Sequence, residues 1–342
     1  MVAYCRICDA MIVPVGFREG TSFDETRQNW SGTGDRPLAW SVWYPVEVDA
    51  VGTVSTEPSW FRRKPVACDA PLRASAKPYP LVLLSHGSGA SVAALEWLAY
   101  RLAQRGYVAL AVNHHGHTGA EPYRAEGFLC LWERASDLRA LLSDPSWRLA
   151  LGGTIDDRAN VAGFSAGAYT AMLLMGARVA YSQFEPSNPV KSPIRGPREF
   201  PNLADQLQEL QANPIFRESW ERRHGDYSDA RFRSAAVIAP GRSVLGFAAV
   251  SLQRIRNPIQ IFGGDADTVA PAIDCCQWLH SNVAGSSLEV LGAVGHYTFL
   301  PEGSETGVQA DPELFHDKPG VGRSAIHEHV ARSIAHFFNR AS

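Results

Sequence analysis

The pattern of apolar and polar positions changes its rhythm near Tyr79. Before that point the chain reads as strands and loops. "MIVPVGF" (Met11 to Phe17) and "LAWSVWYPV" (Leu38 to Val46) are strand-like and flank a polar, glycine-containing turn region. From Val51 to Pro80 the chain is rich in Pro, Ser and Ala, as expected for a long surface excursion.

After Tyr79 strands and helices alternate. "YPLVLLSHG" (Tyr79 to Gly87) is apolar without polar alternation, the mark of a strand covered on both faces. "SVAALEWLAYRLAQRG" (Ser91 to Gly106) has helical periodicity and a glycine stop. "YVALAVNHHGHTG" (Tyr107 to Gly119) is a buried strand running into a loop, and "LWERASDLRALLSDP" (Leu131 to Pro145) is an amphipathic helix ended by proline. "ANVAGFSAGAYTAMLL" (Ala159 to Leu174) joins another strand to an alanine-rich helix. "SAAVIAPG", "NPIQIFGGDADTVAP" and "SSLEVLGAVGHYTFL" predict three further strands, and "GRSAIHEHVARSIAHFFNR" a closing helix. This alternation predicts a mostly parallel sheet with helices on both faces, and such sheets bind ligands at the carboxyl ends of their strands.

One segment breaks the alternation. Residues 181–233 are rich in Pro, Asn and Arg and hold one helix candidate, "NLADQLQELQANPIFRESWERR". An insertion after the serine helix sits above the strand ends, so a cap over the site is expected within an otherwise single domain of residues 1–342. A plain surface excursion is the alternative. The segment's aromatic residues Tyr181, Phe184, Phe216, Trp220 and Tyr227 either line an apolar site or pack the cap onto the body.

The chain has 342 residues, a formal charge of −3 and no basic stripe, which argues against a nucleic-acid surface. The basic knot "FRRKP" (Phe61 to Pro65) reads as a solvated loop. No apolar run has the length of a membrane span, and the first twenty residues lack the features of a signal peptide, so a cytoplasmic location is expected. The six cysteines form no framework: Cys5 and Cys8 make a lone C-x-x-C, Cys275 and Cys276 share a helix with one of them buried, and Cys68 and Cys130 stand alone. Oligomeric state is not readable.

The chemistry lies in Gly163-Phe164-Ser165-Ala166-Gly167. A strand running straight into a helix through G-x-S-x-G is expected to hold a serine hydroxyl above the sheet in strained backbone geometry, an ordinary helix start that happens to contain glycines being the alternative. A serine hydroxyl is a poor nucleophile alone and needs a base. His296, in "GAVGHYTFL" just past the last predicted strand, is the candidate. His327, His329 and His336 decorate the last helix. His114, His115 and His117 in "NHHGHTG" invite a metal, but no carboxylate or cysteine accompanies them at ligand spacing, so they are expected at the pocket rim. The acid that orients the base is Asp267 in "FGGDADTVAP", with Asp265 as the alternative. The order Ser165, Asp267, His296 suits a serine hydrolase on this kind of sheet. Backbone N–H groups of Ala166 and Ser88 would form the oxyanion hole, and His86 would tie the Ser88 loop down rather than act in catalysis.

With these residues in place, the chain resembles the α/β-hydrolase superfamily. More narrowly it is similar to bacterial predicted dienelactone hydrolases related to the type II platelet-activating-factor acetylhydrolases. The stretches that carry the resemblance are "WYP" (Trp43 to Pro45), "LLSHGSG" (Leu83 to Gly89), "NHHGHTG", "GFSAGAYT", "GDADTVAP" and "GHYTFL". Dienelactone hydrolases proper use a cysteine nucleophile where this chain has Ser165. In the acetylhydrolases the acid follows the strand after the nucleophile helix, where this chain reads "VIAPG" (Val237 to Gly241) without a carboxylate. The resemblance implies hydrolysis of small-molecule carboxylic esters with short or truncated acyl groups, without cofactor or metal. The competing readings are an amidase or peptidase on the same residues and a non-catalytic binding protein on the hydrolase scaffold.

Overall fold

A computed structural model describes residues 14–341. Its centre is a nine-stranded sheet ordered β3-β1-β2-β5-β4-β6-β7-β8-β9. In chain order the strands are β1 (Val15–Gln28), β2 (Asp35–Pro45), β3 (Ala67–Cys68), β4 (Tyr79–Ser85), β5 (Val108–Asn113), β6 (Ile155–Phe164), β7 (Phe232–Ile238), β8 (Ile259–Gly264) and β9 (Ser286–Leu291). From β5 across to β9 every neighbouring pair is parallel, while β1/β2 and β2/β5 are antiparallel. The helices are α1 (Glu96–Gln104), α2 (Ala125–Leu129), α3 (Glu133–Ser143), α4 (Ser146–Leu151), α5 (Ala166–Leu174), α6 (Leu203–Leu210), α7 (Pro214–Glu221), α8 (Ala249–Leu252), α9 (Cys276–Asn282), α10 (Glu305–Ala310) and α11 (Arg323–Ala341).

Side chains of a strand alternate between its faces, and here both faces are covered. Leu81 and Leu83 of β4, with Val108, Leu110 and Val112 of β5, pack toward α3 and α5. Val82, Leu84, Ala109 and Ala111 point the other way, toward α1 and the Val330, Ile334 and Phe338 stripe of α11. Two apolar layers explain why the central strands show no polar alternation.

Two boundaries differ from the sequence reading. The polar stretch after Phe17 is strand, not turn: β1 continues to Gln28, registers with β2 from Val15↔Pro45 to Asp24↔Arg36, and bulges before Gln28↔Asp35. Its residues alternate between buried and exposed because one face of this outer hairpin meets solvent, and that polarity disguised the strand. Met11 to Val13 of the predicted first strand lie outside the described residues. The single helix expected in the insertion is two, α6 and α7, because Pro214 cannot continue a helix and Asn213 caps the second, accepting from the N–H groups of Ile215 and Phe216.

Among the described residues no helix is long and apolar enough to cross a membrane. Cys68, Cys130, Cys275 and Cys276 are free, and Cys275 and Cys276 are both buried, because each packs into the core beside β8. Cys5 and Cys8 lie outside the described residues.

At the junction of β6 and α5 backbone packs directly against backbone. A Cβ built on Gly163 would lie 2.0 Å from the Gly167 carbonyl oxygen, and one on Gly167 would lie 1.8 Å from the Ser85 carbonyl oxygen. Both obstacles are main chain and cannot swing aside. Gly167→Ala must therefore push α5 off β4. Its stability loss should exceed about 3 kcal/mol, at the upper end of single-residue effects, seen as a collapse of soluble yield or a large fall in the denaturant midpoint. A loss under about 1 kcal/mol would contradict this packing.

Candidate active site

Ser165 sits at that junction with φ 54° and ψ −113°, a conformation that L-residues rarely adopt. Such a conformer costs about 1–3 kcal/mol and persists only where its surroundings enforce it. The Ser165 N–H donates to the Ile238 carbonyl of β7 (2.9 Å), and α5 begins at Ala166. The strained residue thus carries its hydroxyl on the convex side of a turn, at the carboxyl end of β6.

The loops after β9, β8, β4 and β7 gather around it. His296 opens a short 3-10 turn after β9 and places Nε2 3.0 Å from Ser165 Oγ. Its Nδ1 lies 2.6 Å from Asp267 Oδ2, in the loop after β8. The other oxygen of Asp267 accepts from the N–H groups of Val269 and Ala270 (2.9 and 2.7 Å), which fixes the carboxylate. An Asp267 carboxylate accepting from Nδ1–H leaves the Nε2 lone pair free to accept the Ser165 proton. Both Asp267 and His296 are buried, while Ser165 keeps partial access to solvent. Asp265 instead faces the surface, accepting from the Ala293 N–H at 2.6 Å. The Gly87–Ser88 loop after β4 closes the other side: a Cβ on Gly87 would stand 3.6 Å from Ser165 Cβ. Gly241, after β7, donates its N–H to the Ser165 carbonyl (3.3 Å), and a Cβ there would come within 3.4 Å of Ser165 Oγ. The missing carboxylate in "VIAPG" therefore has a steric side: a side chain at 241 would crowd the hydroxyl.

A second Asp–His–Ser chain lies behind the first. Asp137 Oδ2 accepts from His114 Nδ1 (2.9 Å), and Ser85 Oγ donates to His114 Nε2 (2.9 Å). Distances alone do not separate the two chains; access does. Ser85, His114 and Asp137 are wholly buried, and Ser85 Oγ already accepts from Arg134 Nη2 at 3.1 Å. No acyl group can reach it.

Comparison with known proteins agrees with this architecture. A family model described as platelet-activating factor acetylhydrolase, isoform II, matches residues 57–127. That span holds the Gly87–Ser88 loop and the His114–His117 stretch and ends before Ser165. A ferulic acid esterase from Streptomyces cinnamoneus superposes with a TM-score of 0.60 at 19% identity, covering 96% of this chain and 90% of the esterase. A puromycin hydrolase (TM-score 0.51, 15% identity) and a puromycin-hydrolyzing peptidase of Mycobacterium tuberculosis (TM-score 0.51, 13% identity) cover 99% and 97% of this chain but only 40% of their own. A comparison with curated proteins finds no match. The chain has the α/β-hydrolase fold.

Within this fold the histidine-rich stretch does not form the pocket rim expected of it. His114 is buried between Asp137 and Ser85, and His117 between Arg134 and Ser88. His115 bonds Glu121 (2.8 Å) at the edge. The reason is electrostatic: α3 and the β1/β2 hairpin bury guanidinium groups and carboxylates together, and the imidazoles bridge them. Asp137 takes Arg36 (2.7 Å) and Arg27 (2.8 Å), and Arg27 also pairs with Asp24 (2.7 Å) and Glu133 (2.8 Å). His86 holds its loop as expected, donating from Nδ1 to the Gly87 carbonyl and accepting the His114 N–H at Nε2. His327, expected on the helix surface, is buried: it stacks on Trp97 and bonds the Thr298 carbonyl (2.8 Å). The basic knot is partly held, Arg63 pairing with Glu96 at 2.9 Å.

Sequence reasoning missed Arg134, Asp137 and Glu199. The first two carried a readable signal: Arg134 and Asp137 share a face of α3 with Leu138 and Leu141, and all four are buried. A charged pair on an apolar stripe announces a buried ion network. Glu199 had no such signal. Its carboxyl group, pushed up by burial, lies against Gly89, where a Cβ would meet it at 2.6 Å.

The buried imidazoles make stability depend on pH. Burial, helped by Arg134, holds His86 and His117 well below the usual imidazole range and His114 at about 3. Burial holds His327 at about 3. In the unfolded chain each takes up a proton near pH 6.5, while in the folded chain each stays neutral far below that. The unfolded state therefore binds more protons, and stability falls as the pH drops through about 6.5, by up to about 1.4 kcal/mol per pH unit for each histidine. Tm should be level above about pH 7.5 and fall steeply between pH 6.5 and 5. A level Tm down to pH 5 would mean that these rings charge in place.

Proposed function

We propose that this protein is a serine hydrolase that cleaves small-molecule carboxylic esters, with Ser165 as nucleophile, His296 as general base and Asp267 as the acid that orients it. The observation that carries the reading is the continuous pair of contacts from Asp267 through both nitrogens of His296 to Ser165 Oγ, 2.6 and 3.0 Å long. The oxygen at its end belongs to a residue held strained at the carboxyl ends of the strands.

The chemistry follows from the geometry. Ser165 Oγ attacks the acyl carbonyl carbon while its proton passes to His296 Nε2. Asp267 keeps the Nδ1–H tautomer and stabilises the imidazolium. The carbonyl oxygen, now an oxyanion, is held by the N–H groups of Ala166, at the start of α5, and of Ser88. Collapse of the tetrahedral intermediate breaks the ester C–O bond, and the leaving alkoxide takes the proton from His296. Water then gives a proton to the same nitrogen as it attacks the acyl-enzyme, releasing the acid and restoring the serine.

Residues 181–233 act in this reading as a cap that limits the acyl chain to short or truncated groups. Three consecutive side chains support that. Arg198 pairs with Asp311, Glu199 leans on Gly89, and the Phe200 ring packs edge-on against Phe128 (4.9 Å) and Tyr123 (6.4 Å) beside the Gly87–Ser88 loop. Phe216, Trp220 and Tyr227 are buried, Trp220 edge-on against Trp132, and so serve to anchor the cap rather than to receive substrate. Amide cleavage uses the same three residues, and the likeness to puromycin hydrolases keeps it as the second reading.

A p-nitrophenyl ester series from acetate to octanoate separates these possibilities. Turnover should be highest for the shortest chains, and Ser165→Ala should lose at least about a thousandfold. Equal turnover by wild type and Ser165→Ala would overturn the nucleophile assignment. Cleavage of an aminoacyl p-nitroanilide in preference to every ester would favour the amidase reading.

A further inference from the structure

The Arg134 side chain is fully buried and reaches both elements that flank Ser165. Its Nε donates to Thr170 Oγ1 (3.1 Å), and the Thr170 hydroxyl donates to the Ala166 carbonyl (3.2 Å), so the guanidinium holds the first turn of α5. Its Nη2 donates to Ser85 Oγ and to the His86 carbonyl, which holds the loop that leads to Ser88. Its Nη1 contacts His117 Nδ1 at 3.0 Å, and His117 Nε2 contacts Ser88 Oγ at 3.0 Å.

The direction of the last two bonds follows from chemistry. A guanidinium has donors only, so His117 Nδ1 must accept. A neutral imidazole that accepts at one nitrogen donates from the other, so Nε2–H donates to Ser88 Oγ. The serine oxygen is thereby tied from behind. His117 also packs against Phe128, with ring centroids 4.1 Å apart and planes tilted by 50°, which holds the imidazole in place.

We propose that Arg134 and His117 form a positioning relay that sets the gap between the two oxyanion donors, Ala166 N–H and Ser88 N–H, by gripping α5 through Thr170 and the Ser88 loop through His117. This rests on the serine hydrolase reading. Arg134 and His117 touch neither substrate nor the reacting atoms. Their effect is on the distance and rigidity of the donors, which matters most when negative charge develops on the carbonyl oxygen and least when the ester first binds. A misplacement of less than an ångström is enough to cost an order of magnitude in rate.

Replacing Arg134 strips four acceptors of their donor and risks the fold, so the decisive variants are at His117 and Ser88. His117→Phe keeps the ring against Phe128 but removes both bonds. His117→Gln restores them, since its amide oxygen can accept from Arg134 and its amide nitrogen can donate to Ser88 Oγ. Ser88→Ala removes the oxygen that the relay grips and leaves the N–H.

With p-nitrophenyl acetate, His117→Phe and Ser88→Ala should each lose about tenfold in kcat with KM changed less than about twofold. Affinity for a trifluoromethyl ketone, which forms an oxyanion at the same place, should fall in parallel. His117→Gln should recover most of the loss. The double variant His117→Phe/Ser88→Ala should be no slower than the worse single one, because both break the same link. Single variants within twofold of wild type in kcat, or losses that multiply in the double variant, would overturn the relay. Loss of secondary structure in His117→Phe would leave the comparison to His117→Gln and Ser88→Ala, where a Ser88→Ala enzyme equal to wild type also overturns it. Failure of the hydrolase reading is distinguishable, since it would appear as Ser165→Ala retaining activity whatever the state of His117.

Discussion

Everything around Ser165 depends on one backbone crossing, where α5 leaves β6 and passes against the end of β4. Gly167 approaches the Ser85 carbonyl, and Gly163 approaches Gly167, so closely that neither position has room for a methyl group. Two consequences follow from this one contact. The residue between them is forced into a strained conformer that projects its side chain from the turn. The start of α5 and the loop after β4 are also brought side by side, Gly167 against Ser85 and Gly87 against Ser165. Closeness is obtained by omitting side chains, and the strain is offset by the sheet that surrounds it.

Beneath that crossing lies an unusual amount of buried charge. Asp24, Glu133 and Asp137 meet Arg27, Arg36 and Arg134, with His114 and His117 as neutral bridges. Such networks contribute little to stability relative to an apolar core, and breaking one partner leaves an uncompensated charge. What this one contributes is direction. Each bond has a fixed donor and acceptor, so the carbonyls and hydroxyls under the Gly87–Ser88 loop have one arrangement instead of several. The same network contains an Asp137–His114–Ser85 chain with distances like those of Asp267–His296–Ser165, and what separates the two is burial, since Ser85 is sealed from solvent and Ser165 is not.

Much of this was legible in the sequence. The parallel sheet could be read because central strands covered on both faces lose their polar alternation, as Tyr79 to Ser85 and Val108 to Asn113 do. The convergence of Ser165, Asp267 and His296 was legible because each follows a strand, and carboxyl ends of parallel strands share one edge. What was hidden depends on long-range contact. The second half of β1 looks like turn until β2 is laid beside it. The histidines of "NHHGHTG" look like a rim until the guanidinium groups of the β1/β2 hairpin and α3 are brought beneath them. Glu199 acquires meaning only from Gly89, 110 positions earlier in the chain.

The central claim of the proposed function is that Ser165 is a base-activated hydroxyl that a substrate can reach. The most direct test is covalent labelling with an alkyl p-nitrophenyl phosphonate, followed by peptide mass analysis of wild type and His296→Ala. The account predicts one phosphonyl group per chain, on the peptide that carries Ser165, with labelling nearly abolished in His296→Ala although Ser165 is still present. Labelling at another serine, or labelling of Ser165 that is indifferent to His296, would contradict it.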